Sequence, residues 1–230
     1  MSLNVLQGNE DRGAVLDYLR AADADLLLLM ETDAAWRDAL APVLAGYATV
    51  VEEVKDDHYG MILATRLPVR RAELVRLSDD VTPAAVAELE LAGGPLLFTG
   101  LHPRPPVPRT SVEARDEQIR MAALLARRED VPAIAMGDFN DVAWSWASQS
   151  FRDVGGYADP RAGRGIMASF DARSWWLKVP IDQSLVTEGV RVHSFGLGPN
   201  VGSDHLPVEM TVSVDAPAAT SQGTPVAASR

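Results

Sequence analysis

The sequence predicts an α+β protein of mixed β-sheets with outer helices, and three observations carry that prediction. Helix-like and strand-like segments alternate over residues 4–44, a run of short strands follows over residues 48–101, and the mixture returns from residue 111 onward. Unbroken alternation would point instead to a parallel, doubly wound sheet. A chain of 230 residues, 47% hydrophobic and 23% charged, also has enough apolar material for a sizeable core.

Taken in order, residues 4–7 read as the first strand. Asn9-Glu10-Asp11 reads as a helix start with Asn9 as the cap, and Val15, Leu16 and Leu19 repeat at helical spacing to about residue 22. Residues 26–30 are apolar on both faces, as in a strand buried on both sides, and stop at Glu31. A second helix spans residues 32–44, capped by Thr32 or Asp33. Strands follow at 48–54, 59–65, 69–77, 84–91 and 95–101, broken at Leu67-Pro68 and Ala92-Gly93-Gly94-Pro95. Four prolines within residues 103–108 dictate an extended loop.

Residues 111–128 form the longest helix candidate, with Ile119, Ala122, Ala123 and Leu125 on one side. Residues 131–138 are a buried strand running into Gly137-Asp138-Phe139-Asn140. There the glycine permits a sharp turn, and extended alternation puts Asp138 and Asn140 on one face, about 7 Å apart. Residues 144–178 are irregular and carry Trp144, Trp146, Trp175 and Trp176, which are expected to pack the edge of the fold, with stacking on bases or contact with a membrane or lipid as the alternative. Residues 180–187 and 190–195 read as a hairpin around Glu188-Gly189, and residues 206–214 as the last strand. Residues 215–230, rich in Ala, Pro, Ser and Thr, read as a disordered tail or linker.

Composition narrows the chemistry. With no cysteine, disulfides, thiolate metal sites and cysteine nucleophiles are excluded. A run of about 18 apolar residues, the signature of a membrane-spanning helix, is absent. The net charge of -11 repels polyphosphate and counts against tight, sequence-independent nucleic-acid binding, although Arg104, Arg109 and Arg115 could form a local basic rim. The sequence enters its first core strand with no leader, which predicts a natural chain continuing upstream. The compartment stays open between a cytoplasmic enzyme and an extracytoplasmic domain of a larger, membrane-attached protein.

Polar residues suited to metal or phosphate chemistry recur at the ends of apolar strands: Asn4, Glu31, His102, Asp138, Asn140, Asp182, Asp204 and His205. Each has a dull explanation as a turn or surface residue, but the parts complement one another. Carboxylates and amide oxygens are hard ligands suited to Mg²⁺ or Mn²⁺. Histidines add a general acid or electrophile, and a buried aspartate fixes the tautomer and favours the charged form of an imidazole. A serine hydrolase built on Ser203-Asp204-His205 is disfavoured, because the Gly-x-Ser-x-Gly elbow is missing.

Asn4-Val5-Leu6, Met30-Glu31, Leu101-His102, Gly137-Asp138-Phe139-Asn140, Ile181-Asp182 and Gly202-Ser203-Asp204-His205 resemble, in order, the motifs of the endonuclease/exonuclease/phosphatase superfamily. The resemblance implies a four-layer αββα sandwich of two packed mixed β-sheets with outer helices, with residues 1–214 as the catalytic domain. It implies a Mg²⁺- or Mn²⁺-dependent phosphoester hydrolase acting by in-line attack of water. Glu31, Asn4 and Asp204 would hold the metal. Asp138 would orient or deprotonate the water, and Asn140 would position it. His205, paired with Asp182, and His102 would contact the phosphate, with Tyr59 on the substrate side. Gln183 departs from the histidine common at that position. The substrate is left open among nucleic acid, phospholipid and small phosphoester, and residues 155–178 are the expected specificity loop. No stable protein partner is evident, and a monomer is expected. A non-catalytic phosphate- or partner-binding module on the same fold is the alternative.

Overall fold

The computed structural model describes residues 1–78, 82–106, 112–129, 131–174 and 178–215. Arg109, Trp175, Trp176 and the expected tail beyond Asp215 lie outside the described residues, as does part of the proline-rich loop. The elements in chain order are β1 (Ser2–Asn4), α1 (Arg12–Ala22), β2 (Leu26–Met30), α2 (Ala34–Leu44), β3 (Thr49–Glu53), β4 (Met61–Thr65), β5 (Val69–Val75), β6 (Ala84–Leu91) and β7 (Gly94–Leu101). They continue with α3 (Val112–Glu129), β8 (Ala133–Asp138), α4 (Trp146–Gly155), β9 (Tyr157–Ala158), β10 (Asp182–Thr187), β11 (Val190–Leu197) and β12 (Val208–Val214). Among these residues the strands form two six-stranded sheets, ordered β11-β12-β1-β2-β4-β3 and β5-β6-β7-β8-β10-β9. Both are mixed: β1 with β2 and β7 with β8 are parallel, and the other pairings are antiparallel.

Strand alternation builds the layers. On β2, Leu27 and Leu29 point outward against Leu19, Trp36 and Leu40 of α1 and α2. Leu26, Leu28 and Met30 point inward, where they meet Phe98, Ile134 and Met136 of the second sheet. Ala133 and Ala135 of β8 face outward toward Ile119, Ala122 and Ala123 of α3 and Phe151 of α4. The result is the αββα sandwich, with helix pairs on the outside and an apolar layer between the sheets. No helix among the described residues is long and apolar enough to cross a membrane.

Four local expectations are corrected. The α1 cap is Asp11, whose side chain accepts the Ala14 N–H, whereas Asn9 donates to the Val5 and Val201 carbonyls and so ties the chain end to the later loop. Residues 180–187 and 190–195 do not make a hairpin, because β10 pairs with β8 in one sheet while β11 pairs with β12 in the other. Residues 144–178 are not irregular throughout, since α4, capped by Ser145, buries Ala147 and Phe151 there. Trp144 and Trp146 flank that cap and are 59% and 77% exposed, so the expectation that they pack the edge fails for both.

Candidate active site

The same alternation that layers the sandwich assembles a polar cluster at one end of it. Stepping by two from inward-facing Ile134 and Met136 reaches Asp138, and from inward-facing Leu96 and Phe98 reaches His102. Asn4 likewise sits out of phase with outward-facing Leu3 and Val5. Because β10 runs antiparallel to β8, its first residue, Asp182, pairs directly with the last residue of β8, Asp138. Four chain segments thus deliver Asn4, His102, Asp138 and Asp182, all buried, to the gap between the sheets. Two glycines permit this closeness. A Cβ on Gly137 would sit 2.0 Å from the Leu101 carbonyl oxygen, and one on Gly60 would sit 1.8 Å from that of Thr32. Gly137 therefore serves strand contact within β8 rather than the sharp turn read from the sequence.

Asp138 is the hub. Its Oδ2 lies 3.3 Å from Asn4 Nδ2, 3.5 Å from His205 Nε2 and 3.7 Å from His102 Nε2. Its Oδ1 accepts the Asn140 N–H at 2.9 Å. Asn140 adopts a left-handed backbone (φ 48), so a turn and not extended alternation brings the two residues together. Burial, reinforced by the nearby Asp182 charge, pushes the Asp138 carboxyl above its ordinary pKa, against the pull of both histidines. His205 Nδ1 is 2.8 Å from Asp182 Oδ2, which also accepts the Ser169 hydroxyl at 2.5 Å. Burial would drain the imidazole of its proton, but the Asp182 and Asp138 charges outweigh that and raise its pKa from 6.5 to about 10. The Phe170 ring lies 4.8 Å from the imidazole and covers it.

Glu31 stands beside this group in a left-handed turn (φ 61) after β2. Burial would raise its pKa, yet the Asn4 amide, the field of His102, the Gln7 N–H and His58 together hold it below the ordinary value. Asn4 Nδ2 donates to Glu31 Oε1 at 2.9 Å as well as facing Asp138, while Asn4 Oδ1 accepts the Leu6 N–H at 3.0 Å. A backbone N–H can only donate, so this fixes the amide with its nitrogen, not its oxygen, toward the carboxylates. Asp204 pairs with Arg173 at 3.2 Å. An ionised, partly open carboxylate such as Glu31 suits a hard divalent ion. Asp138, Asp182 and His205 also form a group whose ligand atoms lie within 4.8 Å of one another and could hold a metal ion.

Around the hub, the Tyr59 ring lies 5.7 Å from that of His102, and the Arg104 guanidinium lies 5.9 Å from the Tyr59 ring centre. Asn140 Nδ2 donates to the Pro103 carbonyl at 2.9 Å. Arg115 is engaged with Asp116 at 2.8 Å and Asp141 at 3.6 Å. Gln183 faces away from the hub and donates to Ser148 Oγ at 2.7 Å and the Asp141 carbonyl at 3.0 Å, binding the turn after β8 to α4. Buried Ser203 donates to the Asn4 carbonyl at 2.7 Å and accepts the His205 N–H at 3.0 Å, a structural use of its hydroxyl. Sequence reasoning missed Gln7, His58 and Ser169. Only His58 left a trace there, as the residue preceding Tyr59.

The sequence profile of the Endonuclease/Exonuclease/phosphatase family matches residues 1–205, and the chain belongs to that family. Its architecture recurs in TDP2 of D. rerio complexed with single strand DNA product, with a TM-score of 0.73 and 18% identity over 93% of this chain and 97% of that one. It recurs in the endonuclease/exonuclease/phosphatase from Beutenbergia cavernae (TM-score 0.74, 20% identity, 93% and 70% covered). The mannosyl-6-phosphatase of Bacteroides thetaiotaomicron is similar as well (TM-score 0.70, 20% identity, 90% and 91% covered). At these identities the likeness is one of fold. No curated protein matches the chain.

Proposed function

We propose that this protein is a divalent-metal-dependent phosphoester hydrolase in which water attacks phosphorus in line with the leaving group. The observation that carries the reading is Asp138, a buried carboxylate with its pKa raised and its Oδ2 faced by three nitrogen-bearing side chains. A carboxylate of raised pKa is suited to take a proton from water near neutral pH. Asn4 and the Asn140 N–H hold the two Asp138 oxygens in place. With Asn140 Nδ2 turned to Pro103, its Oδ1 is left to accept from the attacking water. His205, kept cationic by Asp182, stabilises charge on a phosphoryl oxygen, and His102 offers a second donor across the same gap. Tyr59 walls the side next to His102.

Glu31 is the carboxylate we assign to Mg²⁺ or Mn²⁺, with Asn4 as its positioning donor and Asp204 joining after release from Arg173. When bound, the ion neutralises charge on the phosphoryl group. The Asp138–Asp182–His205 group is a poorer host, because the His205 proton already serves its carboxylates.

For substrate, the net charge of -11 and the engagement of Arg115 and Arg173 with internal carboxylates favour a compact phosphoester over a nucleic acid held along its backbone. The named neighbours span both kinds, a phosphatase and a protein holding a DNA product. The test is hydrolysis across plasmid and abasic DNA, RNA, sphingomyelin, inositol polyphosphates and sugar phosphates, each with chelator and His205→Ala controls. Cleavage of one class, abolished by chelation, restored by Mg²⁺ or Mn²⁺ and absent in the variant, is expected. Chelator-resistant cleavage would overturn the metal assignment. Silence across the panel with metal bound would favour a phosphate-binding module on this fold.

A further inference from the structure

Glu31 has a neighbour outside the motifs that revealed it. His58 lies in the loop between β3 and β4, with its Nδ1 3.1 Å from Glu31 Oε2. Its side chain is 62% exposed, whereas Glu31 is 15% exposed, so the pair closes the solvent side of the carboxylate. The backbone at His58 is left-handed (φ 68), a conformation that costs a non-glycine residue energy and persists only when its surroundings impose it. Here the imposing group is Gln7. The His58 N–H donates to Gln7 Oε1 at 2.9 Å, and Gln7 Nε2 donates to the Asp56 carbonyl at 3.3 Å. The Gln7 N–H in turn donates to the same Glu31 Oε2 at 3.1 Å. One residue thus locks imidazole and carboxylate into a closed ring.

Two donor atoms 3.1 Å apart match adjacent corners of an octahedron, since metal bonds of about 2.1 Å give an edge of about 3 Å. We propose that His58 is a second protein ligand, beside Glu31, of the divalent ion this enzyme uses, and that its imidazole shifts selectivity away from Mg²⁺ toward first-row transition ions. The inference rests on the metal-dependent reading above. Without an ion, the Nδ1 proton bridges to Glu31. Coordination through Nδ1 would need its lone pair, with the ring proton on Nε2 instead. Imidazole favours transition ions, whereas an all-oxygen shell suits Mg²⁺. The neighbouring Asp57 is otherwise occupied: it accepts the Tyr59 N–H at 3.1 Å and pairs with Lys55 at 3.4 Å.

The test is Mn²⁺ binding, by titration and by the nitrogen couplings in pulsed electron paramagnetic resonance, in the wild type, His58→Ala, His205→Ala and Glu31→Gln. The wild type should show an imidazole ¹⁴N coupling that His205→Ala keeps and His58→Ala loses, with Mn²⁺ held ~10-fold or more weakly in the latter. Glu31→Gln should lose both binding and coupling. Circular dichroism and a thermal melt on His58→Ala confirm that the fold survives loss of an exposed side chain. Bound Mn²⁺ with no nitrogen coupling, or a coupling that disappears only in His205→Ala, would overturn the assignment of His58 and leave metal dependence standing. Failure of the wild type to bind Mn²⁺ at all would overturn both.

Discussion

His205 and His102 approach Asp138 Oδ2 from different sheets, at 3.5 and 3.7 Å, and the fold treats them differently. His205 has its far nitrogen on Asp182, its ring under Phe170 and its charge sustained by two carboxylates. His102 has no partner at its buried Nδ1 among the described residues, and its ring neighbour is Tyr59. An unpartnered polar atom in a buried site costs stability, and such atoms are tolerated where a ligand will meet them. One side of Asp138 is therefore preorganised and the other is held in reserve. In the proposed mechanism this division would separate a cation fixed before substrate arrives from a histidine free to adjust when it does.

Removing the fixed side should have the largest effect. His205→Ala and Asp138→Ala should each lower kcat by ~10³-fold or more, with circular dichroism unchanged. Near-wild-type turnover in either would mean the hub is misassigned. Next comes Asp182→Asn, which keeps the shape of the group and removes its charge. It should reduce kcat by ~10²-fold and move the alkaline limb of the pH–rate profile downward. The sign follows from the environment. The carboxylates raise the His205 pKa to about 10, so activity needing the imidazolium persists below that value and is lost as pH rises through it. Activity needing ionised Asp138 falls as pH drops through a value above the ordinary carboxylate range, because burial raises it. A bell with its alkaline limb unmoved in Asp182→Asn would break the proposed link.

The reserved side should give smaller effects. His102→Ala should lower kcat/KM by ~10- to 10²-fold while leaving the alkaline limb where it is. A shifted limb would show that the two sides of Asp138 do not act independently. Smallest is the double variant Trp144→Ala with Trp146→Ala. Both rings are exposed, so unfolding free energy should change by about 0.5 kcal/mol or less, and any effect should appear in KM. A collapse in Tm would show that the tryptophans pack after all.

Much of this was legible in the sequence, because alternation with period two is a local property. Asp138 after Ile134 and Met136, and His102 after Leu96 and Phe98, could be placed on the inward face from spacing alone. What could not be read depended on distant partners. The choice of β11 to pair with β12 and not with β10 is made by sheet order, which a turn at Glu188-Gly189 does not encode. The orientation of the Asn4 amide is set by a backbone N–H two residues on, in a left-handed turn at Leu6 (φ 59) with no glycine to announce it. The α4 helix did leave a signal, Ser145 as cap with Ala147 and Phe151 four apart, but it lay among tryptophans that drew attention to binding. Gln7 and Ser169 act through hydrogen bonds to residues 24 and 13 positions away, beyond any local pattern.

The most direct test of a His205 that is charged at neutral pH and faces Asp138 is the titration of the four histidine rings by nuclear magnetic resonance, with His205→Ala identifying the resonance. One ring should stay protonated through neutral pH and lose its proton near 10, and in Asp182→Asn that midpoint should drop. A His205 ring that titrates near the ordinary 6.5, unaffected by Asp182→Asn, would contradict it.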